Sequence, residues 1–381
     1  MFLVRGTDAM KEHIEFILSS VDLKHEVLLL LLDGWMDLKQ DMNIREFHRI
    51  NRLTGTSKYV LTRKYELMKW FLQTKFSYSL PCMLFTEYNE STIQSFMKHG
   101  SKHKFLKASD GFAGKGIKVV NSITEIKEFT DAYRQSEKFK GWILQDALET
   151  IATFQTYKFH LRVVLVVVVH NNKLSVYMSN YHTYVLSNEP YDVGRIKEET
   201  VYNTHIKQNT KHAFFPMELP DGWAAGETTR DMKQITQMIR NVIQKNHIFR
   251  PDWSIQNGYE LLGVDVVFDK MHRPYILEIN EKMAIYPSQL LCFPELFHLA
   301  LGGSPMKLFS LIYGTSEHRT TPFTKPLSTF YGTQYTSVSE IQHAYESLFH
   351  TKLQQEADRA YLLYQSQPHS VRTTRKKHRS K

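Results

Sequence analysis

Seven consecutive apolar residues, Val163 to Val169, six of them valine, constrain the fold of this chain more than any other stretch. A β-branched run without polar alternation requires a strand covered on both faces, and therefore a sheet with a further layer on each side. Downstream, Tyr259-Glu-Leu-Leu-Gly-Val-Asp-Val-Val-Phe-Asp269 and Pro274-Tyr-Ile-Leu-Glu-Ile-Asn280 read as two strands joined by the turn-like Lys270-Met-His-Arg273. In the second strand Glu278 and Asn280 are two apart and share one face, with Leu277 and Ile279 expected on the other. Asp265 interrupts the apolar first strand. Two carboxylates and an amide converging in an apolar frame suit a hard cation such as Mg2+, which takes a few protein oxygens and completes its shell with water and phosphates. The plainer reading is that Asp265 and Glu278 cap turns or pair with surface lysines, although an apolar strand rarely buries an unpaired acid.

The stretch Lys107-Ala-Ser-Asp-Gly-Phe-Ala-Gly-Lys-Gly-Ile117 sets three glycines between two apolar segments. Gly111, Gly114 and Gly116 permit backbone angles closed to other residues and let amide N–H groups approach an oxyanion, while Lys107 and Lys115 supply positive charge. The spacing is neither the G-x-x-x-x-G-K-[ST] loop nor the dinucleotide G-x-G-x-x-G. By itself it reads equally well as a glycine-rich hairpin.

Composition narrows the class. A chain of 381 residues with 42% hydrophobic and 23% charged residues can bury a substantial core and hold two or three domains. Cys82 and Cys292, its two cysteines, indicate neither a disulfide framework nor a cysteine zinc site. The apolar run Val27–Leu32 is far shorter than the roughly 20 residues of a membrane span, and no signal-peptide pattern precedes it. A soluble cytoplasmic monomer is expected. Of the 18 histidines none shows a short metal-binding spacing, so His103, His182, His205 and His212 read as surface or loop residues. The net charge is +9, and six basic residues without an acid fall in the last eleven positions. Residues 371–381 read as a disordered basic arm, suited to an acidic protein tail or another polyanion, or simply to solubility.

Along the chain, residues 1–100 mix helical patterns with short apolar runs such as Leu80-Pro-Cys-Met-Leu-Phe85, and Phe105-Leu106, Ile117–Val120 and Trp142–Gln145 read as short strands. Ser122 and Glu125 form a capping-box pattern ahead of Ile126, Phe129 and Tyr133 on one helical face. A helix is expected from Thr228 to His247, polar loops over residues 187–226, a linker after residue 300, and an amphipathic helix starting at Ser337.

Several blocks in order then resemble the tubulin tyrosine ligase-like family, whose fold is ATP-grasp. Asn51-Arg-Leu-Thr-Gly-Thr56 with Leu61-Thr-Arg-Lys64 resembles the early block, and the glycine loop led by Lys107 follows. Trp142-Ile-Leu-Gln145 with Lys158-Phe-His-Leu-Arg162 resembles the hinge strand and a Lys-Phe-Asp-Leu-Arg element. Asn203 lies where the family has His-Leu-Thr-Asn, and Asp265, Glu278 and Asn280 close the series. The resemblance covers about residues 45 to 300.

It implies an α+β ATP-grasp fold with the nucleotide between two antiparallel-containing sheets. Residues 1–101 would form an N-terminal α/β domain, 102–160 the central lobe, 161–315 the C-terminal lobe, and 316–381 a linker, helix and tail. It further implies ATP and Mg2+, with Lys107 and the loop residues Gly111, Gly114, Lys115 and Gly116 on the phosphates. Gln145 would hold adenine between apolar walls that include Leu144 and Leu148, with Lys158 and His160 also at the nucleotide. Asp265, Glu278 and Asn280 would bind the metal, and Arg162 would stabilise the transferring phosphoryl group. Lys64, Asn180 and Asn203 fall on the substrate side. The implied activity joins a free amino acid to an acidic protein tail, tubulin being typical of the family, through an acyl phosphate. His160, Asn180 and Tyr202 depart from the family's acid, arginine and threonine. These departures leave two other readings: a nucleotide- or microtubule-binding module of reduced activity, and a nucleic-acid-binding protein acting through its basic arm.

Overall fold

The computed structural model describes residues 62–111, 115–154, 156–170, 173–180, 183–202, 204, 225–246 and 257–280, parts of 295–314, and three short N-terminal strands. The chain divides into units Met1–Lys325 and Pro326–Lys381. All described residues belong to the first unit; the helix expected from Ser337 and the basic arm lie outside them.

Near the N-terminus β1 (Leu3–Arg5), β2 (Leu28–Leu31) and β3 (Arg49–Ile50) form a parallel sheet, so the leucine-rich run supplies a strand. Helix α1 (Lys64–Thr74) follows and buries Leu67, Met68, Trp70 and Phe71. Its last turn closes with Lys75 in the left-handed region at φ 49°, where Phe76 N–H reaches Phe71 O at 2.9 Å and Lys75 N–H reaches Leu72 O at 3.3 Å.

A four-stranded antiparallel sheet comes next. Its strands are β4 (Cys82–Phe85), β5 (Lys104–Ala108), β6 (Ile117–Val120) and β7 (Trp142–Asp146), in the order β4-β7-β5-β6. The apolar run Leu80–Phe85 thus supplies an edge strand of the sheet that carries the glycine loop. Helix α2 (Glu90–Met97) lies between β4 and β5. Helix α3 (Ile123–Ala132) starts at Ser122, whose side chain accepts Glu125 N–H, while Glu125 reaches back to Asn121 N–H at 2.8 Å. Behind this sheet Leu106, Ala108, Val120, Ile126, Trp142 and Leu144 form one apolar cluster.

The larger sheet is built around β9 (Tyr157–His170), which contains the valine run. One edge of β9 pairs with β12 (Asn257–Phe268), which pairs in turn with β13 (Pro274–Asn280), the expected hairpin. Its other edge is shared by β10 (Lys173–Ser179) and β11 (Thr183–Pro190), while β8 (Thr153–Phe154) pairs with the start of β9 on the side opposite β11, the two strands meeting Tyr157 from either edge. Alternation along β9 sends Phe159, Leu161, Val163, Leu165, Val167 and Val169 into the main core. Lys158, His160 and Arg162 therefore take the opposite face. The core face is covered by α5 (Ala225–Asn246), which buries Ile235, Met238, Ile239, Val242 and Ile243. No described helix is long and apolar enough to cross a membrane.

Three local expectations need correction. A register shift falls between Asp265 and Val266, whose partners are Glu278 and Ile276. Leu277 is the extra residue of that bulge and lines the cleft described below, instead of sharing the core face with Ile279. Within the segment expected as polar loops, a 3-10 turn (Val193–Arg195) and helix α4 (Glu199–Tyr202) are ordered around buried Ile196 and Val201. After residue 300, β14 (Phe309–Tyr313) adds to the large sheet beside β10. Five residues in isolation carry too weak a strand signal; the open edge of β10 recruits them.

Candidate functional site

The two antiparallel sheets face each other across a cleft with an empty volume of about 1060 Å³. Strand alternation presents Phe105, Lys107, Ile143 and Gln145 from one sheet, and Lys158, His160, Asp265 and Glu278 from the other. Lys64 and Met68 of α1 close one end. Leu148 lines the cleft as expected, but Leu144 does not: it lies on the far face of β7 in the core behind the sheet, and Ile143 takes its place.

Three lysines set the electrostatics. Lys107 Nζ donates to Gln145 Oε1 at 2.6 Å, and Lys158 Nζ donates to the main-chain oxygen of Tyr202 at 2.8 Å. Both ammonium groups lie over the Phe105 ring, at 5.7 and 5.0 Å from its centroid. Burial, with Lys64 nearby, lowers Lys107 to about 8. Burial, with Lys107 nearby, lowers Lys158 to about 7. Lys64 Nζ reaches Glu278 Oε2 and the carbonyl of Gly111, each at 3.1 Å, joining helix, glycine loop and carboxylate. Two partly buried cations held below their ordinary values suit an anionic ligand, which would favour their charged forms.

The acids lie at the neighbouring end. Arg162 grips Asp265 through Nε–Oδ1 at 2.5 Å and Nη2–Oδ2 at 3.1 Å, each residue 2% exposed. Asn280 Nδ2 donates to Asp265 Oδ2 at 3.3 Å and Glu278 Oε1 at 3.0 Å, so one amide gathers both carboxylates. Burial and the Glu278 carboxylate push Asp265 up, against the pull of Arg162. Hard oxygen donors on two adjacent strands, two of them mutually repelling acids, fit a divalent cation bound partly through phosphate and water. Among the described residues no three His, Cys, Asp or Glu side chains form a metal-binding group; the third donor here is an amide.

His160 is 3% exposed, shares a hydrogen bond with Thr204 Oγ1 at 2.8 Å, and places Nε2 at 3.7 Å from Asp265 Oδ1. It thus lies at the cleft floor, where the resemblance expects an acid. Asn180 directly follows β10 and accepts from Ser310 Oγ at 2.7 Å, and it is not among the residues lining the cleft. Gly114 and Asn203 lie outside the described residues. Lys115 is exposed. Gly116 has φ +75°, and an added Cβ would lie 3.0 Å from Tyr133 Oη and 3.1 Å from Ala108 Cβ. Gly116→Ala should therefore cost about 1–3 kcal/mol of stability, read as a lower urea midpoint; an unchanged midpoint would show that the hairpin relaxes freely.

Tyr191, Ile196, Tyr202 and Thr204 also line the cleft, and motif reading did not single them out for it. Tyr202 stands where the resemblance has a threonine, and Thr204 sits beside Asn203, so that block was the available signal; Tyr191 and Ile196 belong to no recognisable spacing.

Comparison with known sequences adds to this geometry. The sequence model of the tubulin-tyrosine ligase family matches residues 36–282. A Mus musculus protein, tubulin polyglutamylase TTLL6, is 22% identical over 278 residues, covering 65% of this chain and 32% of that protein. The chain thus spans about a third of the length of this curated relative.

Proposed function

The chain belongs to the tubulin-tyrosine ligase family, within the ATP-grasp superfamily, and from this premise we propose that it is an ATP-dependent ligase. In this reading it attaches an amino acid to a carboxylate of an acidic, tubulin-like protein tail, in the cytoplasm. The observation that supports it most is the cleft itself, in which partly buried Lys107 and Lys158 face Asp265 and Glu278, the two acids that Asn280 gathers, between two antiparallel sheets.

A carboxylate is a poor electrophile, so the reaction is written in two displacements. The acceptor carboxylate oxygen attacks the γ-phosphorus of ATP, and the bond to ADP breaks, leaving an acyl phosphate. The amine nitrogen then attacks the acyl carbon, and the C–O bond to phosphate breaks, releasing phosphate and a proton. Lys107 and Lys158 neutralise phosphate oxygens. Asp265, Glu278 and Asn280 would hold Mg2+, which would supply positive charge to neutralise phosphate oxygens. Arg162 acts by holding Asp265 in place. Lys64 links the glycine loop to Glu278, so seating of the loop and placement of the acid are coupled. His160 in place of an acid favours the second reading, nucleotide binding with reduced turnover.

The test is ADP release from Mg·ATP with tubulin and a pool of amino acids, followed by intact-mass analysis of the acceptor. ADP release with a mass gain supports the ligase and identifies the amino acid. Nucleotide binding without either supports the second reading, and no nucleotide binding rejects both.

Nucleotide binding should also take up protons. Phosphate favours the ammonium forms, so the values near 7 and 8 rise on binding, and affinity falls as pH climbs through that window. Dissociation constants should be at least about tenfold weaker at pH 9 than at pH 7, since each linked proton changes affinity up to about tenfold per pH unit. Titration calorimetry in two buffers of different ionisation heat would count the protons. A pH-independent affinity would show that neither lysine meets phosphate.

A further inference from the structure

Residues 191–202 and Thr204 run from the large sheet to the hairpin that carries the glycine loop, and they are fastened at both ends. At the start Tyr191 N–H bonds Thr156 O at 2.8 Å. Midway Ile196 joins Val119, Ala147 and Tyr202 in a small apolar cluster of its own, against which Phe105 and Ile117 pack. Lys197 reaches across to α3, with Nζ 2.5 Å from Glu125 Oε1 and 2.9 Å from Asn121 Oδ1. Tyr202 donates from Oη to Ile117 O at 3.3 Å and meets Phe105 edge-on at 5.7 Å. On the other side the Tyr202 carbonyl accepts from Lys158, and Thr204 bonds His160.

We propose that this segment is a clasp that sets the width of the nucleotide cleft, with Lys197 and Tyr202 as its positioning residues. The reasoning is geometric. The Lys158 ammonium is located by the carbonyl of a residue whose ring and hydroxyl rest on β5 and β6, so the hairpin and the lysine shift together. The Lys197 side chain bonds Asn121 and Glu125, neither of which lines the cleft; it holds the clasp from outside, at an exposed ion pair. This proposal rests on the nucleotide-binding reading of the cleft, and its test is built to separate the two.

Lys197→Ala should raise KM for ATP about twofold to fivefold, the range set by an exposed ion pair, with kcat changed less. Lys197→Arg, which keeps the pair, should stay within about twofold of wild type. Tyr202→Ala should raise KM about tenfold or more, since a buried aromatic contact and a located lysine are lost together. If Tyr202→Ala does not fold, the Lys197 pair decides. Wild-type KM in Lys197→Ala, or an equal defect in Lys197→Arg, would overturn the clasp. Should the wild type fail to bind ATP at all, amide hydrogen exchange of residues 104–120 decides in its place. Faster exchange in Lys197→Ala, restored by arginine, supports the clasp, and unchanged exchange rejects it.

Discussion

Glu278→Gln should lower ATP turnover by about 10²–10³-fold, the loss typical of removing one preorganised electrostatic contributor at a phosphoryl-transfer site. The substitution is nearly isosteric. It leaves an acceptor oxygen for Asn280 Nδ2 and removes the charge that meets Lys64 Nζ at 3.1 Å. Both members of that pair are about a fifth exposed, and Lys64 Nζ keeps the carbonyl of Gly111 as an acceptor, so the thermal midpoint should fall by less than loss of a fully buried pair would cause. ADP release at saturating Mg·ATP, beside a melting curve of the same preparation, separates loss of chemistry from loss of fold. Wild-type turnover in Glu278→Gln would remove Glu278 from the reaction and with it the proposed metal set. The loss should also respond to metal concentration, since a weakened site is partly restored by mass action.

Arg162→Met should have the larger effect on folding. Arg162 and Asp265 are each 2% exposed and bonded through two nitrogens, so removal of the cation leaves a buried acid without its main counter-charge. Breaking such a pair costs about 3–5 kcal/mol. Burial and Glu278 already push Asp265 up, and loss of Arg162 pushes it further. An acid whose folded value exceeds its unfolded value loses stability as pH rises between the two, so the deficit should be larger at pH 8 than at pH 5. Arg162→Met combined with Asp265→Asn should recover much of the loss, because no buried charge remains. Urea unfolding of the single and double variants at both pH values is the measurement. A deficit that ignores pH, or a double variant no better than the single, would place the cost in packing around Arg162.

Much of the site was legible because strands have a period of two. Lys158, His160 and Arg162 alternate with core residues of β9, and Glu278 and Asn280 flank core residue Ile279, so residue type and spacing placed them on one face. The same rule failed at Leu277, where a bulge adds a residue, and at Leu144, where adjacency to Gln145 in sequence means the opposite face of the sheet. Tyr191, Ile196 and Tyr202 could not be placed by any period. They wall the cleft because a non-repetitive segment packs on Phe105 and Ile117, residues some 80 positions away in sequence.

By itself, then, the order of residues determined the buried valine strand, the hairpin bearing Asp265 and Glu278, and the glycine loop led by Lys107. These depend on local periodicity and on backbone angles that each residue type allows or forbids. Tertiary structure alone decided that Arg162 is held by Asp265, that Lys64 bridges Gly111 and Glu278, and that Tyr202 ties Lys158 to the glycine hairpin. Each of these is a contact between charges or surfaces far apart along the chain. Its strength depends on burial and distance, which exist only once the two sheets have closed on each other.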